Sequence, residues 1–588
     1  MAKSNLKFQL QSNRRAAAGL VWRVALLLCS IAVISALATA GLTASNPEIG
    51  PDTSAFSQEI KPKAGTPLKP EDLDSLRLEL LSVIAEPRFA RAAWGVEAVS
   101  LDTGKVIFQY DAGKYFTPAS NAKLFAAALA LDTLGADFRI GTSFYSPSAP
   151  DGSGRIRGDV VVYGRGDPAF AMSNDSTDYY SPLEPLAAVL EKAGVRRIDG
   201  DLVGDESYFR GAPFGRGWEW EDFQWYYGAE ASALSLNGNA IELRIEPGRR
   251  QGLPCQVTTD PDTALVTLVN STSTSLPNAP RRLSVYRPPG ENTVYVSGSM
   301  PLGDIPYTGY VAVHNPALLF VTSLKEVLRR HGITVKGKVR AVDSKSSRSG
   351  LDVARLKCLG TVYSKPLSEI VKDTLKRSQN LYAQLLFLQV GANAEREMMP
   401  IPGQERSGPA TAAKGPPAPL AGPPQAGQPD KPVDQRPQTT EEASAMAMQL
   451  FLAKVGAKVG LDAGSASIVE GSGLSRQNLV TPDSVVKLLV FISRQNWAPV
   501  FMDSLPVAGL DGTLKNRMKA TPAAGNLRAK TGTLLYDNAL SGYLTTRVGE
   551  HFAFSIVVNN YINVDGAHPV NRDIDKIAET LAGFGGHS

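Results

Sequence analysis

TPASNAKLF, Thr117–Phe125, opens an Ala- and Leu-rich run that continues to Leu134. Such a run, apolar on nearly every side, predicts a buried helix. Ser120 and Lys123 stand three residues apart within it, so the helix projects them from one face. Pro118 just ahead places the helix N-terminus near Ser120. Taken alone, the pair reads as a helix cap and a lysine whose stem lies along apolar surface.

Two later motifs change that reading: Ser378-Gln379-Asn380, and Lys530-Thr531-Gly532-Thr533. A serine hydroxyl becomes a useful nucleophile only when a base takes its proton. A lysine serves as that base where burial or a nearby cation makes the neutral amine accessible, and Lys530 supplies such a cation. Ser378 and Asn380 follow the helical stretch SKPLSEIVKDTLKR, which begins near Pro366, and fall at an inward turn. Lys530 leads into an apolar strand whose extended backbone suits strand addition by a peptide. In isolation these are a polar turn and an edge-strand charge. In order along one chain, the three motifs point to acyl transfer on Ser120.

The chain has 588 residues, too many for one core. Residues 1–40 form a targeting segment, in which Lys3, Lys7, Arg14, Arg15 and Arg23 precede the apolar stretch VALLLCSIAVISALATA and no acidic residue interrupts it. The chain is therefore expected to be exported, to the periplasm or another extracytoplasmic space. Cleavage after Ala38-Thr39-Ala40 removes the segment; alternatively Val24 to Ala44 is just long enough to stay as a membrane anchor, or to support peripheral association. Losing those five positive charges turns the formal +4 into −1, which leaves no basic excess for nucleic acid. Cys255 and Cys358 remain, an even pair that forms a disulfide if geometry permits. Neither lies in a zinc-type spacing, and no metal or cofactor is expected.

Residues 41–70 read as a flexible leader. WGVEAVSLDTGKVIFQYDAGKYF (Trp94–Phe116) is a hairpin around Asp-Thr-Gly, and ALSGYLTTRVGEHFAFSIVVNNY (Ala539–Tyr561) is a second, turning at Gly549. Ile574, Ile577 and Leu581 mark a closing amphipathic helix. Hairpins and helices at both ends predict one α+β domain assembled from residues 71–141, 314–399 and 439–588. Residues 142–313 have short β-rich runs and read as a mostly β insertion. Asn315–Gly332, with Pro316 in its first turn, restarts helix. Residues 400–438, rich in Pro, Gly, Ala and Gln, lack the apolar side chains to offset ordering and are expected to be disordered.

Further stretches carry a resemblance: GRGDPAF at Gly164, GDESYF at Gly204, GWEWEDF at Gly217, ALSLNGN at Ala233, EGSGLSRQN at Glu470 and LPVAGLDGTLKNRM at Leu505. With the three motifs, they make the chain resemble the low-molecular-mass class C penicillin-binding proteins, the serine D-alanyl-D-alanine carboxypeptidase/endopeptidase family, from about residue 75 to 585. The separation of 258 positions from Ser120 to Ser378 (378 − 120) selects this family among enzymes with the first motif. The resemblance implies a β-lactamase/DD-peptidase-like domain, an antiparallel sheet with helices on both faces, interrupted by one or two small domains. It implies removal of D-Ala from peptidoglycan stem peptides, or cutting of D-Ala cross-links, with β-lactam antibiotics as covalent inhibitors.

Carried over, the resemblance makes Ser120 the acylated nucleophile and Lys123 its base. Ser378 and Asn380 complete the proton path and hold the substrate amide. Lys530, Thr531 and Thr533, with Gly532 between, bind the terminal carboxylate, and the N–H groups of Ser120 and Thr533 form the oxyanion hole. Asp205 from the insertion and Arg476 after the GSGL turn would line a side-chain pocket walled by Leu474 and Leu534. The sequence departs from the family pattern at Gln379, at Glu470 in place of Asp, and in the Pro-rich segment. Trp218, Trp220, Phe223, Trp225, Tyr226 and Tyr227 read as a packed junction between insertion and main domain. The five histidines are scattered and no G-x-S-x-G is present, which disfavours a Ser-His-Asp hydrolase. Two other functions stay open: a serine β-lactamase, and a catalytically silent wall-binding scaffold of the same fold.

Overall fold

The computed structural model describes residues 72–172, 176–345, 355–398, 437–564 and 566–588. The expected targeting segment and leader, and nearly all of the Pro-rich stretch, lie outside them.

The N-terminal hairpin forms as expected, with β1 (Ala93–Ser100) antiparallel to β2 (Val106–Tyr110). At the other end of the chain, β3 (Arg528–Leu534), β4 (Asp537–Thr545) and β5 (His551–Asn559) make a meander. β5 pairs with β1 over the whole of β1, so the two chain ends close one antiparallel sheet of order β3-β4-β5-β1-β2. Period-two alternation sends Trp94, Val96 and Ala98 to one face, under α1 (Leu73–Ile84) and the C-terminal helix. The opposite face is covered by α2 (Ala122–Leu134), α3 (Leu367–Lys376), α4 (Asn380–Met398), α5 (Thr440–Val459) and α6 (Pro482–Ser493), which share one large core. The C-terminal helix, α7 (Asn571–Ala582), buries Ile574, Ile577 and Leu581 against the first face. The result is an α+β domain with helices on both faces of its sheet.

α2 is buried at every residue from Ala122 to Leu131, Lys123 included. Ala and Leu propagate helix well, and Gly135 at φ 84° ends it. α6 starts at a Thr481/Ser484 capping box with Pro482 in its first turn.

The insertion contains two kinds of layer. A five-stranded sheet runs, by residue number, 339–342, 202–205, 160–163, 141–146, 357–363, and packs on the helices Glu184–Lys192 and Pro316–Arg330. Two three-stranded sheets, drawn from residues 240–312, enclose a small core around Ile245, Val294, Val296 and Met300. Strands 339–342 and 357–363 hydrogen-bond to strands 202–205 and 141–146, so the hydrogen-bonded insertion extends past residue 313 to Tyr363. The expected return to the main domain at 314 is corrected accordingly. A helical stripe such as Asn315–Gly332 shows that a face is buried, not which sheet buries it.

Cys255 and Cys358, the cysteines among the described residues, are free. Cys255 is buried in the small β core with its Sγ 3.4 Å from the Ser273 carbonyl, while Cys358 is exposed on the outer strand 357–363 of the other sheet. The possible disulfide is thus corrected; an even count says nothing about distance.

Candidate active site

Ser120 lies in a single 3₁₀ turn, Ala119–Asn121, that leads into α2. Ala119 has φ 48°, and the GSGL turn crosses so close that a Cβ on Gly473 would sit 2.0 Å from the Ala119 carbonyl. Only glycine admits that approach. Asn121 donates from Nδ2 to Ser541 Oγ at 2.7 Å, which ties the turn to β4.

Lys123 is fully buried, and its Nζ lies 2.7 Å from Ser120 Oγ, 2.7 Å from Asn380 Oδ1 and 2.5 Å from the Ser472 carbonyl. Burial pushes this amine down to about 7, against the opposing attraction of Glu470. Two of its three neighbours are oxygens that only accept. A neutral amine has two N–H groups and one lone pair. The N–H groups go to Asn380 and Ser472, and the lone pair then faces the one neighbour that can give a proton, Ser120.

The acceptors are themselves fixed. Asn380 donates from Nδ2 to the Tyr227 carbonyl at 2.9 Å, which sets its amide orientation and links the cleft to the insertion. Glu470, buried beneath the GSGL turn, accepts from Ser472 N (2.8 Å), Ser472 Oγ (2.6 Å), Gly473 N (2.7 Å), Asn478 Nδ2 (2.6 Å) and Trp218 Nε1 (3.1 Å). This one carboxylate holds the turn whose Ser472 carbonyl reaches Lys123.

Ser378, at φ 59° between α3 and α4, presents its Oγ to Lys530 Nζ at 2.8 Å. Lys530 is also fully buried, within β3 rather than ahead of it, and bonds the Thr531 carbonyl at 2.7 Å. Burial first, and then repulsion by Lys123, hold its amine well below the ordinary lysine value. β3 is the outer strand of the sheet, paired on one side to β4. A Cβ on Gly532 would lie 2.7 Å from the Pro118 carbonyl, so β3 packs directly on the nucleophile loop. Thr533 is exposed, and Thr531 Oγ1 donates to Thr513 Oγ1 at 2.8 Å.

The structure therefore gathers the motif residues into two bonded groups, Ser120–Lys123–Asn380 and Ser378–Lys530, whose lysines repel each other, with Thr531, Gly532 and Thr533 on the adjoining strand and Leu474 in the abutting turn. It does not bring Asp205 to Arg476. Asp205 ends strand 202–205 inside the insertion, buried and accepting from Ser207 N at 2.9 Å. Arg476 bonds Asp537, the Leu535 carbonyl at 2.8 Å and, across the cleft, Glu219 at 3.4 Å. Asp222, raised to about 6 by burial, also feels its charge. The insertion's acids near Arg476 are thus Glu219 and Asp222, which corrects the Asp205 expectation. They sit in GWEWEDF, where the aromatics drew attention from the acids between them. Of those aromatics, Trp218 is buried and Phe223 stacks on Phe214 at 4.0 Å, whereas Trp220 and Tyr226 are exposed.

The D-alanyl-D-alanine carboxypeptidase of Actinomadura sp. (strain R39) is 33% identical over 526 residues, covering 88% of this chain and 86% of that protein. The D-alanyl-D-alanine carboxypeptidase DacB of Haemophilus influenzae is 26% identical over 479 residues, covering 80% and 86%. The crystal structure of penicillin binding protein 4 from Haemophilus influenzae has the same fold, with a TM-score of 0.67 at 24% identity over 85% of this chain and 98% of that one. A family model described as the D-Ala-D-Ala carboxypeptidase 3 (S13) family matches residues 76–400 and 432–581, and the chain belongs to that family.

Proposed function

We propose that this serine peptidase cleaves the terminal D-Ala-D-Ala bond of peptidoglycan stem peptides, and D-Ala cross-links of the same chemistry, through an acyl-enzyme on Ser120. The observation that carries the proposal is the placement of Lys123: two fixed acceptors occupy its N–H groups, and its remaining lone pair faces Ser120. Family membership and the relatives' names supply the substrate class.

Substrate enters as an added strand beside β3, its terminal carboxylate at Lys530, Thr531 and Thr533. Ser120 Oγ attacks the penultimate D-Ala carbonyl as Lys123 takes the hydroxyl proton. The backbone N–H groups of Ser120 and Thr533 receive the developing oxyanion. As the tetrahedral intermediate collapses, the C–N bond breaks and the proton passes through Ser378 to the departing D-Ala amine. Water then repeats the sequence on the ester, with Lys123 again the base. A β-lactam carbonyl enters the same path, but its leaving amine stays tethered and obstructs that water.

We further propose that residues 1–40 direct export and that the enzyme works outside the cytoplasm, with the N-terminus cleaved or kept as an anchor. Among the described residues no helix is long and apolar enough to cross a membrane.

An intact-mass time course with benzylpenicillin tests the reading. A single long-lived adduct mapping to Ser120 is expected, and absent from Ser120→Ala. Rapid drug hydrolysis without an adduct would make the protein a β-lactamase; neither adduct nor turnover would make it a scaffold.

A further inference from the structure

Beneath α6 an open groove of about 1070 Å³ runs along the helix-covered face of the sheet, bounded by β1, the end of α5 and the segment Ala498–Ser504. None of Ser120, Lys123, Ser378, Asn380 or Lys530 lines it. Its walls are mixed: Val99, Val486, Val490 and Met502 give apolar surface among polar and charged side chains. A groove of that size has room for a small molecule, and which one it suits depends on its polar groups.

Glu97 supplies the first polar group. It lines the groove from the middle of β1 and is 5% exposed, and among the described residues its Oε2 has no hydrogen-bond partner. A buried acceptor left unmatched costs about 1–3 kcal/mol, so it calls for a donor. Burial, with Asp483 adding to it and Lys487 opposing, raises this carboxyl to about 7. Lys487 on α6, the cation that acts on it, is already paired with Asp483 at 2.9 Å.

Elsewhere the lining carries cations free of close acids: Lys458 and Arg494 are exposed, and Arg528 meets Asp503 only at 3.9 Å, while the lining acids Asp102 and Asp483 are paired with His551 and Lys487. A ligand that satisfies both carries a cationic donor at one end and carboxylates at the other. We propose that this groove is a second binding site, for a short peptide with a free ammonium group seated on Glu97 and free carboxylates at Lys458 and Arg494. Released or uncross-linked stem peptides have that chemistry, an identification that rests on the peptidase reading above.

Calorimetric titration of the benzylpenicillin-acylated protein with synthetic L-Ala-γ-D-Glu-L-Lys-D-Ala tests the site with the Ser120 cleft blocked. Saturable one-site binding is expected. It should weaken at least tenfold in Glu97→Gln and for the peptide acetylated on both amines, and about fivefold in Arg494→Glu, a surface change that spares the core. Turnover of a soluble D-Ala-D-Ala peptide by unacylated Glu97→Gln should equal that of the parent. Loss of binding on acylation would assign all affinity to the cleft and overturn the proposal, as would unchanged affinity in both variants. Formation of the adduct reports separately on the peptidase reading, so failure of one is distinguishable from failure of the other.

Discussion

Glu470 and Glu97 are both buried acids of the peptidase domain, surrounded in opposite ways. Glu470 is wholly enclosed and collects five close donors from the GSGL turn, Asn478 and Trp218. Glu97 faces a groove, and its Oε2 has no partner among the described residues. A saturated carboxylate acts as scaffold: it fixes the turn that delivers Ser472's carbonyl to Lys123, and any change to it is felt at Ser120. An unsaturated one is a standing cost to the fold. The contrast teaches that burial alone does not separate structural from binding acids; the donor count does.

The strongest test of the saturated side removes the group it serves. Ser120→Ala should abolish benzylpenicillin acylation, by more than about 10³-fold, while thermal unfolding stays within about 0.5 kcal/mol of the parent, because no buried group loses its last partner. Labelling of another serine in that variant would sink the assignment.

The next effect concerns Lys123. Its folded value of about 7 lies below the ordinary 10.5, so the neutral base dominates above pH 7 and is depleted below it. The second-order acylation rate should fall about tenfold per pH unit below 7 and level off above. The sign for stability follows: the buried ammonium is a penalty in full below pH 7, relieved as pH rises towards 10.5. Lys123→Arg, which cannot deprotonate, should lose about 10²–10⁴-fold in acylation at every pH. A pH-independent rate in the parent would remove Lys123 as the base.

Glu470→Leu should cost about 3–5 kcal/mol in urea unfolding, since it strands buried donors in the GSGL turn. Acylation should fall with it, because Ser472's carbonyl is no longer held on Lys123. Glu470→Asp, the residue more usual in the resembled family, should recover much of both. If Glu470→Leu acylates at the parental rate, the turn does not position the base.

How much of this was legible in the sequence follows from the range of the interactions. The five motif residues could be read because their types and order specify the chemistry. The sheet could be read because alternation in Trp94–Phe116 and Ala539–Tyr561 is a local signal. What escaped depends on tertiary pairing. Helix Pro316–Arg330 showed its stripe but not its sheet, and Asp205 matched a motif but points into the insertion, while Glu219 and Asp222 meet Arg476 only once the cleft is folded. In the sequence Glu470 is only a departure from the family's Asp, and nothing local announces that the turn's donors converge on it.

The smallest expected effect tests the unsaturated side. Glu97's folded value of about 7 exceeds the ordinary 4.5, so the folded protein holds this proton more tightly than the unfolded chain does. Its penalty is absent below pH 4.5, grows as pH rises through 4.5 to 7, and is complete above 7. The full shift corresponds to about 3 kcal/mol, and water in the open groove screens the charge and brings the expectation to about 1–2 kcal/mol. Glu97→Gln should therefore be more stable than the parent by that amount at pH 8 and indistinguishable from it at pH 4, in paired urea titrations. Saturating tetrapeptide should narrow the gap at pH 8, because an ammonium on Glu97 stabilises the charged form only in the parent. A variant less stable than the parent at pH 8 would mean that Glu97 has a structural partner in solution, and the two acids would then differ only in degree.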